Sequence, residues 1–310
     1  MDTTFKVIFM GTPEFAVASL EMLLTNGVNV VAVVTAPDKP QGRGQKLTLS
    51  PVKQCAIRHH VPVLQPTNLK SESFLKDLDS FQADLQVVVA FRMLPEVVWS
   101  RPRLGTFNLH ASLLPQYRGA APINWALING ESETGVTTFF LQHQIDTGHI
   151  IYQEKEPINY SDDAGTLHDR LMKRGAALVL RTVQAIHKGN PPTLPQPETG
   201  ELKHAPKIFK ETCEINWNQS AQQVRNFIRG LSPYPGAWAS LQGKVYKLFR
   251  AEIVEAEQDE SEDLSPGQYR TDNKTHLWFG TSDGLISITE LQAEGKKRMS
   301  TEEFFRGNKL

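Results

Sequence analysis

Short apolar runs alternate with helix-period segments through the first half of the chain. Residues 7–10 are an unbroken apolar run, residues 13–26 carry a helical pattern, and residues 28–34 are apolar again and rich in valine. That succession predicts parallel strands joined by helical crossovers. Residues 85–90, 106–109 and 136–141 repeat the strand pattern, and their near-continuous valine and phenylalanine content suits strands covered on both faces. The first half therefore reads as a doubly wound, mostly parallel α/β sheet of Rossmann-like type.

Over 164–188 the pattern turns helical, with Leu167, Leu171, Leu178 and Ile186 on one period and Gly189 placed as a stop. Pro191, Pro192, Pro195, Pro197 and Pro206 follow, a composition that excludes a helix or a central strand and reads as an extended linker. The expected organisation is a catalytic domain over 1–189, a Pro-rich linker over 190–207 and a smaller domain over 208–310. In that last domain residues 220–229 predict a short helix, and 237–241, 244–254, 276–279 and 285–291 predict strands, which fits a small OB-like β-barrel. The acidic run 255–263 fits a solvated hairpin loop better than a metal site.

Composition narrows the function classes. Lys and Arg number 33 against 34 Asp and Glu, so no excess charge dictates a partner, and any nucleic-acid contact must be local. The segment 208–310 holds 13 basic and 15 acidic residues, so it is no basic platform as a whole. Two cysteines, Cys55 and Cys213, lie far apart without metal-ligand spacing, which suggests neither a disulfide scaffold nor a metal site and fits a reducing, cytoplasmic setting. No stretch approaches the roughly 18 apolar residues a membrane helix needs, and the chain opens without a signal-peptide pattern. Gly11-Thr12-Pro13 follows the first strand where a dinucleotide-binding protein would carry three spaced glycines, which argues against nicotinamide and flavin cofactors.

Candidate chemistry lies where predicted strands end. Asn108 and His110 alternate on one strand, so they face the same way, and an amide beside an imidazole can hold a carbonyl oxygen and move a proton. Alone, such a histidine is more often a hydrogen-bonded structural residue. Asp146, in Asp146-Thr147-Gly148 past another strand, is by itself a turn residue. Aimed at the imidazole, its carboxylate would orient the ring and stabilise the imidazolium.

The segment Ser112-Leu113-Leu114-Pro115-Gln116-Tyr117-Arg118-Gly119, preceded by Asn-x-His and followed by Asp-Thr-Gly, resembles the 10-formyltetrahydrofolate-dependent formyltransferases, and the likeness runs from Phe9-Met10-Gly11-Thr12-Pro13 to Pro233-Tyr234-Pro235-Gly236. The resemblance implies a formyltransferase domain followed by a small barrel and 10-formyltetrahydrofolate as co-substrate. It also implies catalytic roles for Asn108, His110 and Asp146, and folate binding by Ser112, Leu113, Leu114 and Pro115, with Phe91 and Arg92 at the pterin pocket. Arg92 stands where the family more often has glycine, which puts the backbone shape of that pocket in question.

For the acceptor, residues 37–53 carry Lys39, Arg43, Lys46 and Lys53 against Asp38 alone. Charge alone fits a solvated surface loop better than a grip on RNA phosphates. The resemblance implies the second role for Lys39, Arg43 and Lys46, in the branch of the family whose acceptor is methionyl initiator tRNA. A small amine, such as glycinamide ribonucleotide or an amino-sugar, is the alternative acceptor. Neither a membrane nor a protein partner is required.

Overall fold

The computed structural model describes residues 4–41, 46–197, 200–255 and 264–310. In chain order its elements are β1 (Val7–Gly11), α1 (Glu14–Thr25), β2 (Val30–Val34), β3 (Lys39–Gln41), β4 (Lys46–Thr48), α2 (Pro51–Arg58), β5 (Val63–Leu64), α3 (Glu72–Ser80), β6 (Leu85–Val89), α4 (Glu96–Trp99), β7 (Thr106–His110), β8 (Arg118–Gly119), α5 (Pro122–Ile128), β9 (Glu133–Phe140), β10 (Ile150–Pro157) and α6 (Ala164–His187). There follow β11 (His204–Ala205), α7 (Ala221–Gly230), β12 (Ala237–Leu241), β13 (Lys244–Val254), β14 (Tyr269–Thr271), β15 (Leu277–Gly280), β16 (Leu285–Ala293), β17 (Met299–Ser300) and α8 (Thr301–Phe305).

The chain folds into two units that no single cut produces. One holds residues 1–118, 135–156 and 168–203, the other 119–134, 157–167 and 204–310. Two pieces from within residues 1–189 thus group with the C-terminal part.

The first unit is built on a seven-stranded sheet in the order β10-β9-β7-β6-β1-β2-β5. β1 pairs in parallel with β2 and with β6, and the chain fills one side of β1 before crossing to the other, which creates the topological switch where open α/β sheets bind ligands. β6 and β7 are also parallel, whereas β9 runs antiparallel to β7, so the strand expected over 136–141 lies outside the parallel set. Ile8, Met10, Ala32, Val34 and Val88 pack on Phe74, Leu78 and Val98 from α3 and α4. Val7 and Phe9 alternate to the opposite face and are equally buried, which is why these strands read as unbroken apolar runs.

Three close approaches are written into this unit as glycines. A Cβ on Gly11 would lie 2.7 Å from the Ala16 Cβ and 3.0 Å from the Val89 carbonyl, so the glycine at the end of β1 serves to seat α1 against the sheet. On α6, a Cβ at Gly175 would meet the Leu109 side chain at 2.7 Å, so this helix covers the back of β7. At Gly148 a Cβ would fall 1.6 Å from the Phe140 carbonyl oxygen, and only glycine fits there.

In the second unit an antiparallel sheet, β12-β13-β16-β15-β14 with β17 on β16, curls into a half-barrel. The register of β13 against β16 shifts around Arg250, and such irregularities bend a sheet. Its core gathers Leu248, Phe279, Ile286, Ile288 and Leu291 with Val224 and Ile228 of α7, whose start is fixed by a Ser220–Gln223 capping box. The acidic run 255–263 falls, apart from Glu255, outside the described residues. Among the described residues no helix is long and apolar enough to cross a membrane.

Candidate active site

The carboxyl end of β7 carries Asn108 and His110 on one face, while Leu109 between them turns back onto α6. His110 is 6% exposed. Its Nε2 lies 2.8 Å from the Tyr117 carbonyl oxygen, and because a carbonyl only accepts, the hydrogen sits on Nε2. In its neutral form the ring then presents Nδ1 as a lone pair, and Nδ1 lies 3.9 Å from Oδ2 of Asp146. Two acceptors at that separation leave room for one proton-bearing group to touch both. The half-buried Asn108 has no hydrogen-bond partner for its side-chain amide among the described residues.

Asp146 reaches this position from the loop between β9 and β10 with φ +55°, a left-handed conformation that aspartate tolerates better than most residues. Gly148 closes the same turn against Phe140. The segment after α6, expected to be a linker, runs along this unit. Ile150 and Leu194 exchange backbone hydrogen bonds of 2.8 and 2.9 Å. Two residues on, Gln196 is buried beneath the Asp146 turn.

The Ser112-Leu113-Leu114-Pro115 loop is shaped largely from within. Ser112 is fully buried and donates its hydroxyl hydrogen to the Gln116 carbonyl at 2.6 Å, while Thr137 Oγ1 donates to the Ser112 carbonyl at 2.6 Å and accepts from the Leu114 N–H at 3.2 Å. Gln153 Nε2 donates to the Leu114 carbonyl at 2.8 Å. Leu114 is buried, whereas Leu113 and Pro115 are half-buried and remain available to a ligand. Thr137 and Gln153 escaped the sequence reading because nothing in a lone threonine or glutamine on a strand signals a loop some 20 or more residues away.

At the end of β6 the expected conflict at Arg92 is absent, for a specific reason. The left-handed residue is Ala90, at φ +46°, so the backbone reverses two positions earlier. Arg92 is exposed and donates to the carbonyls of Pro66 and Thr67, with its guanidinium 5.9 Å from the Phe91 ring centroid.

In the cationic segment, β3 and β4 pair antiparallel with Lys39 opposite Thr48 and Gln41 opposite Lys46, which makes a hairpin where the sequence offered a solvated surface loop. Arg43, between these two strands in sequence, lies outside the described residues. Lys53 does not join the cationic set. From α2 it donates to Asp38 and, at 2.6 Å, to Gln65 Oε1, and Gln65 in turn donates to Asp38 Oδ1 and to the Ala36 carbonyl at 2.8 Å. The Lys53 ammonium, followed by the Gln65 amide, holds the Asp38 carboxyl below the usual carboxylate range. This cluster pins the base of the hairpin.

Glu21, Cys55 and His59 bring three metal-ligating atoms within 4.8 Å of one another. The carboxylate is already matched by Arg58 at 2.7 Å, and burial together with Glu21 pushes the Cys55 thiol up to about 12, so at neutral pH it stays protonated. In the second unit, a cavity of about 260 Å³ presents Lys207 and Lys210 beside Tyr234, which is 81% exposed.

Residues 5–183 match the family model described as formyl transferase, and residues 207–309 match the one described as formyl transferase, C-terminal domain. The methionyl-tRNA formyltransferase of Bacteroides fragilis is 55% identical over 310 residues, covering 97% of this chain and 94% of that one. That of Flavobacterium johnsoniae is 50% identical over 306 residues, covering 97% and 96%. Among solved structures, an N-formyltransferase from Helicobacter canadensis with folinic acid and dTDP-3-aminofucose superposes with a TM-score of 0.68 at 21% identity, covering 93% of this chain and 99% of that one, which shows a shared fold. The chain belongs to the formyltransferase family, among its methionyl-tRNA formyltransferases.

Proposed function

We propose that this protein transfers the formyl group of 10-formyltetrahydrofolate to the α-amine of methionyl initiator tRNA, with Asn108, His110 and Asp146 as the working groups. The observation that carries the reading is the pair His110 Nδ1 and Asp146 Oδ2, 3.9 Å apart, with Asn108 on the same face of β7 and its side-chain amide without a hydrogen bond among the described residues. An incoming α-ammonium can donate one hydrogen to each acceptor. Loss of one proton to Nδ1 frees the nitrogen lone pair for attack on the formyl carbon. The resulting tetrahedral oxyanion accepts from the Asn108 amide, which needs no reorganisation to meet it. Asp146 faces the imidazolium so formed, and that proton passes to N10 of the folate as the carbon–nitrogen bond breaks. The attacking nitrogen gives up its remaining excess proton to water beside Asp146, so the amine becomes a neutral formamide, one proton is released to solvent and tetrahydrofolate leaves with its N–H restored.

Leu113 and Pro115, with Phe91 across the switch point, offer apolar surface for the pterin and its neighbouring ring. On the acceptor side, Lys39 of β3 and Lys46 of β4, with Arg43 between them in sequence, supply cations that phosphates of the acceptor stem can meet. Lys207, Lys210 and Tyr234 add cations and an aromatic face in the second unit, the groups that an unpaired RNA end takes.

The test offers 10-formyltetrahydrofolate with methionyl initiator tRNA, methionyl elongator tRNA or a small amine. Formylmethionine on the initiator tRNA is the expected product. Turnover of the small amine alone would move the chain to the alternative acceptor class.

A further inference from the structure

We infer that Gln196, held by Arg118, is a positioning residue that fixes Asp146 opposite His110. The inference rests on the reading of Asp146 as a working carboxylate. Gln196 is 8% exposed, and every polar atom of its side chain is used. Its Nε2 donates to the Asp146 carbonyl at 2.7 Å and to the Gly148 carbonyl at 2.9 Å, so one amide nitrogen pins the backbone on both sides of Thr147. Its Oε1 accepts from Arg118 Nη2 at 2.6 Å and Nε at 3.2 Å.

Arg118 is not an arbitrary anchor. The residue before it, Tyr117, gives the carbonyl that takes the His110 Nε2 hydrogen at 2.8 Å. The ring and the carboxylate are therefore referenced to neighbouring residues, the ring through Tyr117 and the carboxylate through Arg118 and Gln196. The left-handed Asp146 needs such an outside hold, because nothing in its own torsions favours that conformation. Only a primary amide meets the demand, since it offers two donors to the turn and an acceptor to the guanidinium. The exchange of backbone hydrogen bonds between Ile150 and Leu194 keeps residue 196 in register with the turn.

The test separates holding the chain from holding Asp146. Gln196→Glu keeps an acceptor for Arg118 but sets a carboxylate oxygen against the two carbonyls, whereas Gln196→Ala removes both contacts. Both variants should lose about 10- to 100-fold in kcat, with KM for folate and for tRNA unchanged, as expected when a catalytic group is displaced by about 1 Å. The pH–rate profile of Gln196→Glu should take the shape of that of Asp146→Asn. On an Asp146→Asn background, Gln196→Glu should cost no more than about twofold further. Arg118→Lys, which keeps the charge and loses the fork, should show a smaller loss in the same parameter and covers the case in which a Gln196 variant fails to fold. Wild-type kcat in folded Gln196→Glu would overturn the inference, as would an undiminished loss in the double variant. Full activity of Asp146→Asn would instead overturn the reading of Asp146, and this inference with it.

Discussion

At the scale of single residues, the site depends on close approaches and on where hydrogens are held. Gly148 shows this most sharply, since any Cβ there would overlap the Phe140 carbonyl. Gly148→Ala should displace the Asp146 turn and lower kcat by about 100-fold while the sheet remains folded, checked by steady-state kinetics alongside circular dichroism. The two cysteines make the opposite kind of statement. Both are buried, and burial raises both thiols, Cys55 to about 12. Neither should react with a disulfide reagent at pH 8 in the native protein, and both should react in denaturant; rapid native labelling would contradict their placement. Asn108 and His110 were legible in the sequence because strand alternation fixes their common face. Gln196 was not, because its partners lie 48 to 78 residues away and its setting among prolines suggested an unattached linker.

Elements with near-continuous apolar runs were legible for the same physical reason that they are buried on both faces: β1, β2 and β6, the last interrupted only by the buried Gln86, present no polar side to water. β10 escaped because it lies at the edge of the sheet, where burial alternates along Tyr-Gln-Glu-Lys-Glu and charged residues are tolerated. One of those charges ties the edge strand to α6. Glu156, 5% exposed, receives hydrogen bonds from Arg170 Nε and Arg174 Nε, each 2.7 Å. Burial alone would raise its carboxyl, but the two guanidiniums outweigh that and hold it below its ordinary value. Since the folded value is depressed, the contribution to stability is complete above the unfolded value near 4.5 and is lost as pH falls through the folded one. Glu156→Gln should therefore lower the thermal midpoint at pH 7, by a free energy of about 1–3 kcal/mol given that both arginines are partly exposed, and the deficit should shrink below pH 4. Equal midpoints for variant and wild type at pH 7 would contradict the pairing.

For the molecule as a whole, a net charge of −1 leaves tRNA binding to local cations. Replacing Lys39, Arg43 or Lys46 singly by alanine should raise KM for tRNA about 3- to 10-fold and reduce the salt dependence of that KM by about one ion each, with kcat and the folate KM unchanged. An unaltered salt slope would remove that residue from the RNA contact. The grouping of 119–134 and 157–167 with the C-terminal part was not legible in the sequence, because it rests on packing between segments far apart in the chain. The central claim is that His110, faced by Asp146, moves the proton that makes the amine a nucleophile. The most direct measurement is the single-turnover rate of formyl transfer to methionyl initiator tRNA by the wild-type protein and by His110→Ala and Asp146→Asn, with folding confirmed by thermal melting. The account predicts losses of about 100- to 10,000-fold in both variants. A folded His110→Ala that transfers formyl at the wild-type rate would contradict it.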